Sequence, residues 1–303
     1  MITLLELEKL RKKAKLLLGI TIAIGILGSF FGVSVVGIGL IVVAVVLFLL
    51  VTKPAMDKYK KAFKDNIVKA SLDGIFTEIY YEPEQGISLD EVKASDIIEL
   101  KDEFVSNDLI VAKYGKVKFK QADVVITDRS KIAGKDGIPN EITSTCFMGR
   151  FLAFDFLKPT ETPVKVLGKS FNPEGNNQGV MGALKNKLIN HKEQQVFMES
   201  EKFNNSFNAF CDDAQTAFYI LTPQIVEAIT MLSNQYQGKI ALCFRDKKML
   251  VAISSKSDSL EPKMLSNRTI WQEKELVLKD IKVITDFIDL MSLENNTLVA
   301  ASN

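Results

Sequence analysis

The chain has 303 residues, enough for one large domain or two small ones with cores of their own, so folding requires neither disulfides nor metal. Its 38 Lys and Arg against 37 Asp and Glu leave a formal charge of +1, which excludes the basic field of a nucleic-acid binder. Cys146, Cys211 and Cys243 are far apart and contain no C-x-x-C pair, which argues against a zinc or redox centre; they read as reduced, buried thiols.

Residues 1–15 form a basic segment with Lys9, Arg11, Lys12, Lys13 and Lys15. From Leu16 to Val51 no residue is charged, and Thr21, Ser29 and Ser34 are the only polar side chains. As one straight helix this run would extend roughly 54 Å, well beyond the ~30 Å of a bilayer's hydrocarbon. Two arms, about 16–31 and 35–51, turning at Gly32-Val33-Ser34, fit better, with Lys13, Lys15 and Lys53 reaching back to the headgroups. A cleaved signal peptide has a shorter apolar region followed by a small-residue cleavage site. Both flanks are basic, so the positive-inside rule places them on one side: the expected topology is a multi-pass anchor in the cell membrane with the N-terminus and the C-terminal domain cytoplasmic. Gly28 and Gly32 form a G-x-x-x-G pair, and Gly25 and Ser29 continue a second small-residue row from Thr21. Such rows let helix backbones approach, either arm against arm or between copies.

Residues 52–73 read as a juxtamembrane amphipathic helix with Tyr59, Phe63, Ile67 and Leu72 on one stripe. Lys53, Lys58, Lys60, Lys61 and Lys64 are on the other face, available to anionic headgroups or simply solvated. Residues 74–303 are expected to form one cytoplasmic domain. Ser88 and Glu91 have capping-box spacing and start a short helix. Alternation over Asp108–Lys113 and Lys116–Thr127 predicts a hairpin about Tyr114-Gly115. Residues 128–145 read as a loop, Cys146–Phe156 as an apolar strand and Thr162–Leu167 as its partner. A second loop covers 168–178, and 180–195 is a marginal helix or loop. Thr222-Pro223 opens a helix with Ile225, Ala228, Ile229 and Leu232 inward, stopped by Gly238. Lys239–Phe244 and Met249–Ser254 pair about residues 245–248, and a last helix over Gln272–Leu290 turns Leu276, Ile281, Ile284, Phe287 and Ile288 inward. Strands and helices without β-α alternation predict an α+β fold: a transmembrane helical hairpin, then a soluble domain with an antiparallel sheet and packed helices.

Several segments resemble the bacterial family called domain of unknown function 3137: Tyr81–Ile87, Cys146–Phe156, Glu199–Phe203 and Ala217–Pro223, together with the apolar pair near the N-terminus. The resemblance covers roughly residues 50–290. It implies a membrane-associated protein and carries no established activity, so no catalytic residue transfers.

The chain has no phosphate-binding G-x-x-x-x-G-K-[ST], no G-x-G-x-x-G, no H-E-x-x-H and no G-x-S-x-G. Its one histidine, His191, lies in a polar segment and reads as a surface residue. No cofactor or metal is expected. Arg150 and Asp155 interrupt the apolar strand on opposite faces, so Arg150 needs a partner other than Asp155: an internal ion pair or a bound anion. Glu199, Glu201, Asp212 and Asp213 form an acidic group that could cap helices, stay solvated, or supply ligand or acid-base carboxylates. The leading expectation is a membrane-anchored cytoplasmic module that binds a protein partner or self-associates at the inner face of the bacterial membrane. Its alternative is an enzyme of unrecognised type acting on a membrane-proximal substrate.

Overall fold

A computed structural model describes residues 2–133, 139–156, 158–171, 194–237, 239–255 and 258–293. They form two compact units, Met1–Gly74 with Leu260–Ile281 and Ile75–Ser259 with Lys282–Asn303. His191, Gly238 and most of the second predicted loop lie outside the described residues.

In the first unit, helix α1 spans Leu4–Phe30. It starts a dozen residues earlier than expected because Thr3 and Glu6 close a capping box, with Thr3 Oγ1 accepting from Glu6 N and Glu6 accepting from Thr3 N. The T-x-x-E signal stands at the head of the basic segment. The chain then turns over residues 31–34, where Gly32 has φ +60° and Ser34 caps the next helix through Gly37 N. Helix α2 runs unbroken over Val35–Asp73, so the second arm and the juxtamembrane helix are one element. Pro54 does not interrupt it. Proline lacks an N–H and crowds the carbonyl four residues back, and the helix widens into a π-turn over Phe48–Thr52, with Lys53 N bonding Phe48 O. A second π-turn covers Lys64–Val68. Tyr59, Phe63, Ile67 and Leu72 are all buried, as the stripe predicts. The two stretches that contain the apolar run are long and apolar enough to cross a membrane.

The second unit is built on a nine-stranded antiparallel sheet, ordered β1-β2-β3-β4-β9-β8-β5-β7-β6. The strands are β1 Thr77–Glu82, β2 Glu103–Tyr114, β3 Val117–Ala133, β4 Pro139–Asp155, β5 Val164–Gly168, β6 Gln194–Val196, β7 Phe207–Cys211, β8 Ile240–Arg245 and β9 Lys248–Ser254. The helices are α3 Leu89–Ser95, α4 Glu201–Ser206, α5 Ala214–Ile220, α6 Pro223–Gln235 and α7 Ile270–Leu290, whose first part belongs to the helical unit. The α+β class is therefore correct, as are the capped helix at Ser88, the hairpin at Gly115 and the hairpin β8–β9. The β8–β9 turn puts Asp246 and Lys247 both at positive φ, the geometry a two-residue hairpin loop needs.

Three expectations are corrected. Residues 128–133 and 139–145 continue β3 and β4 rather than forming a loop, paired from Asp128–Ser144 out to Ala133–Pro139. Thr and Ile recur there, and β-branched residues suit a pleated ladder despite the polar composition. β5 pairs with β7 and β8, while β4 lies between β3 and β9, so the sheet inserts the β8–β9 hairpin between the two expected partners. In α7 Ile281, Ile284, Phe287 and Ile288 are buried as expected, but Leu276 is only half-buried and Glu273 and Val277 extend the buried row instead.

Both faces of the sheet centre are covered. On one, Ala122, Val124, Phe151 and Ala252 pack with Val92 of α3 and Phe171. On the other, Phe154 stacks on Phe287 of α7 at 5.9 Å, and Phe287 stacks on Tyr236. The cysteines are free and buried.

Candidate functional site

Arg150 lies on the second face of β4 and is 8% exposed. Its cross-strand neighbour is Asp123 of β3, 2% exposed, and residues paired across a ladder share a face. The internal carboxylate is thus Asp123, a residue sequence reading missed because it stands in an otherwise ordinary strand. Ser259 donates to it twice, from N to Oδ2 at 2.6 Å and from Oγ to Oδ1. A second buried acid, Asp108, is nearby because β2 bulges between Asn107 and Ile110. With φ +57°, Asp108 accepts from Tyr81 Oη and Asn107 Nδ2, both at 2.8 Å. Burial pushes the Asp123 carboxyl up to about 7; the Ser259 hydrogen bonds and the Arg150 charge pull it down, and Asp108 adds to the rise. Asp155 faces the other way, half-buried, opposite Lys248. This polar row sits inside the sheet and ties strands together.

The four acidic candidates are elsewhere and all exposed. Asp213 caps α5, accepting from Thr216 Oγ1 at 2.7 Å, Thr216 N at 2.8 Å and Gln215 N at 3.2 Å, and these bonds hold its carboxyl below the usual range. Glu201 opens α4, which Ser200 caps, and Asp212 precedes the Asp213 cap. Glu199 borders a groove of about 750 Å³ with Phe218, Leu221, Val226, Glu227 and Met231. Arg150, Asp155, Glu201, Asp212 and Asp213 do not line that groove. Among the described residues no group of three or more His, Cys, Asp or Glu is placed to hold a metal ion.

Of the lysine face, Lys53, Lys58 and Lys61 are exposed. Lys64 is not: it is 7% exposed, with Nζ 2.6 Å from Glu261, which Lys60 also reaches at 3.2 Å. In the hairpin, Gly28 faces Gly37. A Cβ on Gly37 would lie 2.9 Å from Gly28 O and 2.3 Å from Gly32 O, so only glycine permits that approach. A Cβ at Gly25 would meet Ala44 at 4.0 Å, and the Thr21 and Thr52 hydroxyls bond at 2.8 Å. Gly25 and Gly28 thus pack arm on arm, and Gly32 serves the turn. Ser29 is exposed and donates to Gly25 O.

No curated protein matches the chain. Among solved structures, the crystal structure of the mycobacterial trehalose monomycolate transport factor A, TtfA, aligns over 76% of this chain and 93% of that one, with 11% identity and a TM-score of 0.36. Residues 145–293, from within β4 through the end of α7, match the family described as protein of unknown function (DUF3137). Over those residues the chain is similar to that family.

Proposed function

We propose that this chain is an integral membrane protein whose two-armed hairpin, about 16–31 and 35–51, anchors a cytoplasmic domain at the inner face of the membrane. In this reading the domain binds a protein partner. One observation carries the proposal: both apolar helices turn their side chains outward. Only 17% of each candidate span is buried, whereas the core helix of a soluble domain would be mostly covered. Ile22, Ile26, Phe30, Val36, Val42 and Leu50 are all exposed on an uncharged surface that water would not tolerate at this size. Basic flanks at both ends support a common, cytoplasmic side for both.

The surface assigned to the partner is the groove between α4, α5 and α6, where Phe218 and Met231 are exposed. The residues offered for the enzyme reading do not converge: Arg150 is enclosed with Asp123 in the sheet, and the four acidic candidates are on the surface. The test has two parts. Full-length protein should stay in the membrane fraction after carbonate extraction, and a cysteine introduced in the domain should react with a membrane-impermeant thiol reagent only after the cells are opened. Met231→Glu should then abolish co-purification of a protein captured by the wild type; a freely soluble chain or an externally labelled domain would overturn the proposal.

A further inference from the structure

Within the helical unit the segment from Leu260 to Thr269 is tied at both ends. At its start, Glu261 pairs with Lys60 and Lys64 of α2, and Leu260 N donates to Asp280 at 3.1 Å. Towards its end, Ser266 O accepts from Arg11 Nη2 at 3.1 Å and from Lys15 Nζ. Arg11 and Lys15 are one turn apart on α1, and the next residue, Leu16, opens the uncharged run. The segment is therefore held beside the place where α1 passes from charged to apolar. Pro262 and Met264 turn inward, yet Leu265 between the ties is 78% exposed. Beside it stands Lys263, exposed, whereas the Nη1 of Arg268 is buried.

We infer that the loop Lys263–Arg268 is a second membrane contact, separate in sequence from the hairpin, with Leu265 seated between headgroups and acyl chains and Lys263 and Lys15 taking anionic lipid headgroups. The inference rests on the membrane-anchor reading above. Its physical basis is the pairing of an exposed apolar side chain with flanking cations at an interface, the pattern of a surface-seated segment. The ties matter because a loop fixed at Glu261 and Ser266 loses little further freedom when it meets lipid.

The test uses the full-length chain reconstituted into vesicles. Leu265→Cys is labelled with an environment-sensitive fluorophore; the native cysteines are buried and do not compete. Glu275→Cys, exposed on α7, serves as the control. In vesicles containing phosphatidylglycerol the label at 265 should be quenched by lipid-attached quenchers at least fivefold more than the label at 275. That difference should collapse in pure phosphatidylcholine or in Lys263→Gln. Protein that resists carbonate extraction but shows equal quenching at 265 and 275 overturns the loop contact and leaves the anchor standing. Release by carbonate overturns the anchor reading itself. A label at 265 shielded from aqueous iodide but untouched by lipid quenchers marks a protein contact, which also overturns the inference.

Discussion

Replacing Arg150 by Met probes the buried row in the sheet most sharply. Arg150 and Asp123 are 8% and 2% exposed, so removing the cation leaves a carboxylate enclosed without its cross-strand charge. Breaking a buried pair costs about 3–5 kcal/mol where the remaining group must stay charged, but Asp123 can take up a proton, which caps the loss. The loss depends on pH, and its sign follows from Asp123. In the folded chain burial raises that carboxyl from 3.8 to about 7, so the native state holds a proton that the unfolded chain has released. The resulting stability is complete below about pH 4 and is lost as pH rises through 7, by about 4 kcal/mol at about 1.4 per unit. Arg150 offsets part of the remaining strain only when Asp123 is charged. At pH 5 the acid is protonated in wild type and variant alike, and Arg150→Met should cost only about 1 kcal/mol of packing and hydrogen bonding. At pH 8 the loss should grow by up to about 1.4 kcal/mol, because the wild-type carboxyl, near 7, is charged there while the variant's acid keeps its proton. Asp123→Asn/Arg150→Met should recover most of it and flatten the pH response. Amide hydrogen exchange of β3 and β4 in the detergent-solubilised chain, corrected for intrinsic rates at each pH, reads these opening energies directly. Equal losses at pH 5 and pH 8, to within ~0.5 kcal/mol, would show that Arg150 and Asp123 are not coupled.

Other consequences are more local. Gly37→Ala should force the arms apart at a cost of about 1–3 kcal/mol; it should also lower the disulfide yield of a Gly25→Cys/Ala44→Cys pair, whose Cβ separation of 4.0 Å suits a bridge in the native hairpin. Thr52→Val should cost about 1 kcal/mol through loss of its bond to Thr21, read as a lower thermal midpoint in detergent. Glu261→Gln should leave Lys64 enclosed without that carboxylate, cost on the order of 2 kcal/mol, and speed trypsin cleavage at Lys263.

What the sequence discloses here is what short-range chemistry determines. The uncharged run, the stripe Tyr59-Phe63-Ile67, the Ser88-Glu91 cap and the β8–β9 hairpin all follow from periodicity or from residues a few positions apart. The T-x-x-E at residues 3–6 belongs to the same class, yet composition alone marks residues 1–15 only as a basic segment. The loop reading of 128–145 fails for a related reason: composition outweighed β-branched propensity, while the ladder that decides the matter is cross-strand.

The candidate site was less legible because its partners meet only through tertiary structure. Arg150 announces itself by interrupting an apolar strand, but nothing local names Asp123, which is separated from it by the whole β3–β4 hairpin. Asp108 arrives through a bulge, and Ser259 from a loop 136 residues beyond Asp123. The same holds for Lys64. Its spacing places it with Lys53, Lys58 and Lys61, and only Glu261, nearly two hundred residues on, draws it out of that row. A cation thus removed from the solvent face no longer counts towards membrane attraction through α2. It holds Glu261, at the start of the segment that leads to Ser266, instead.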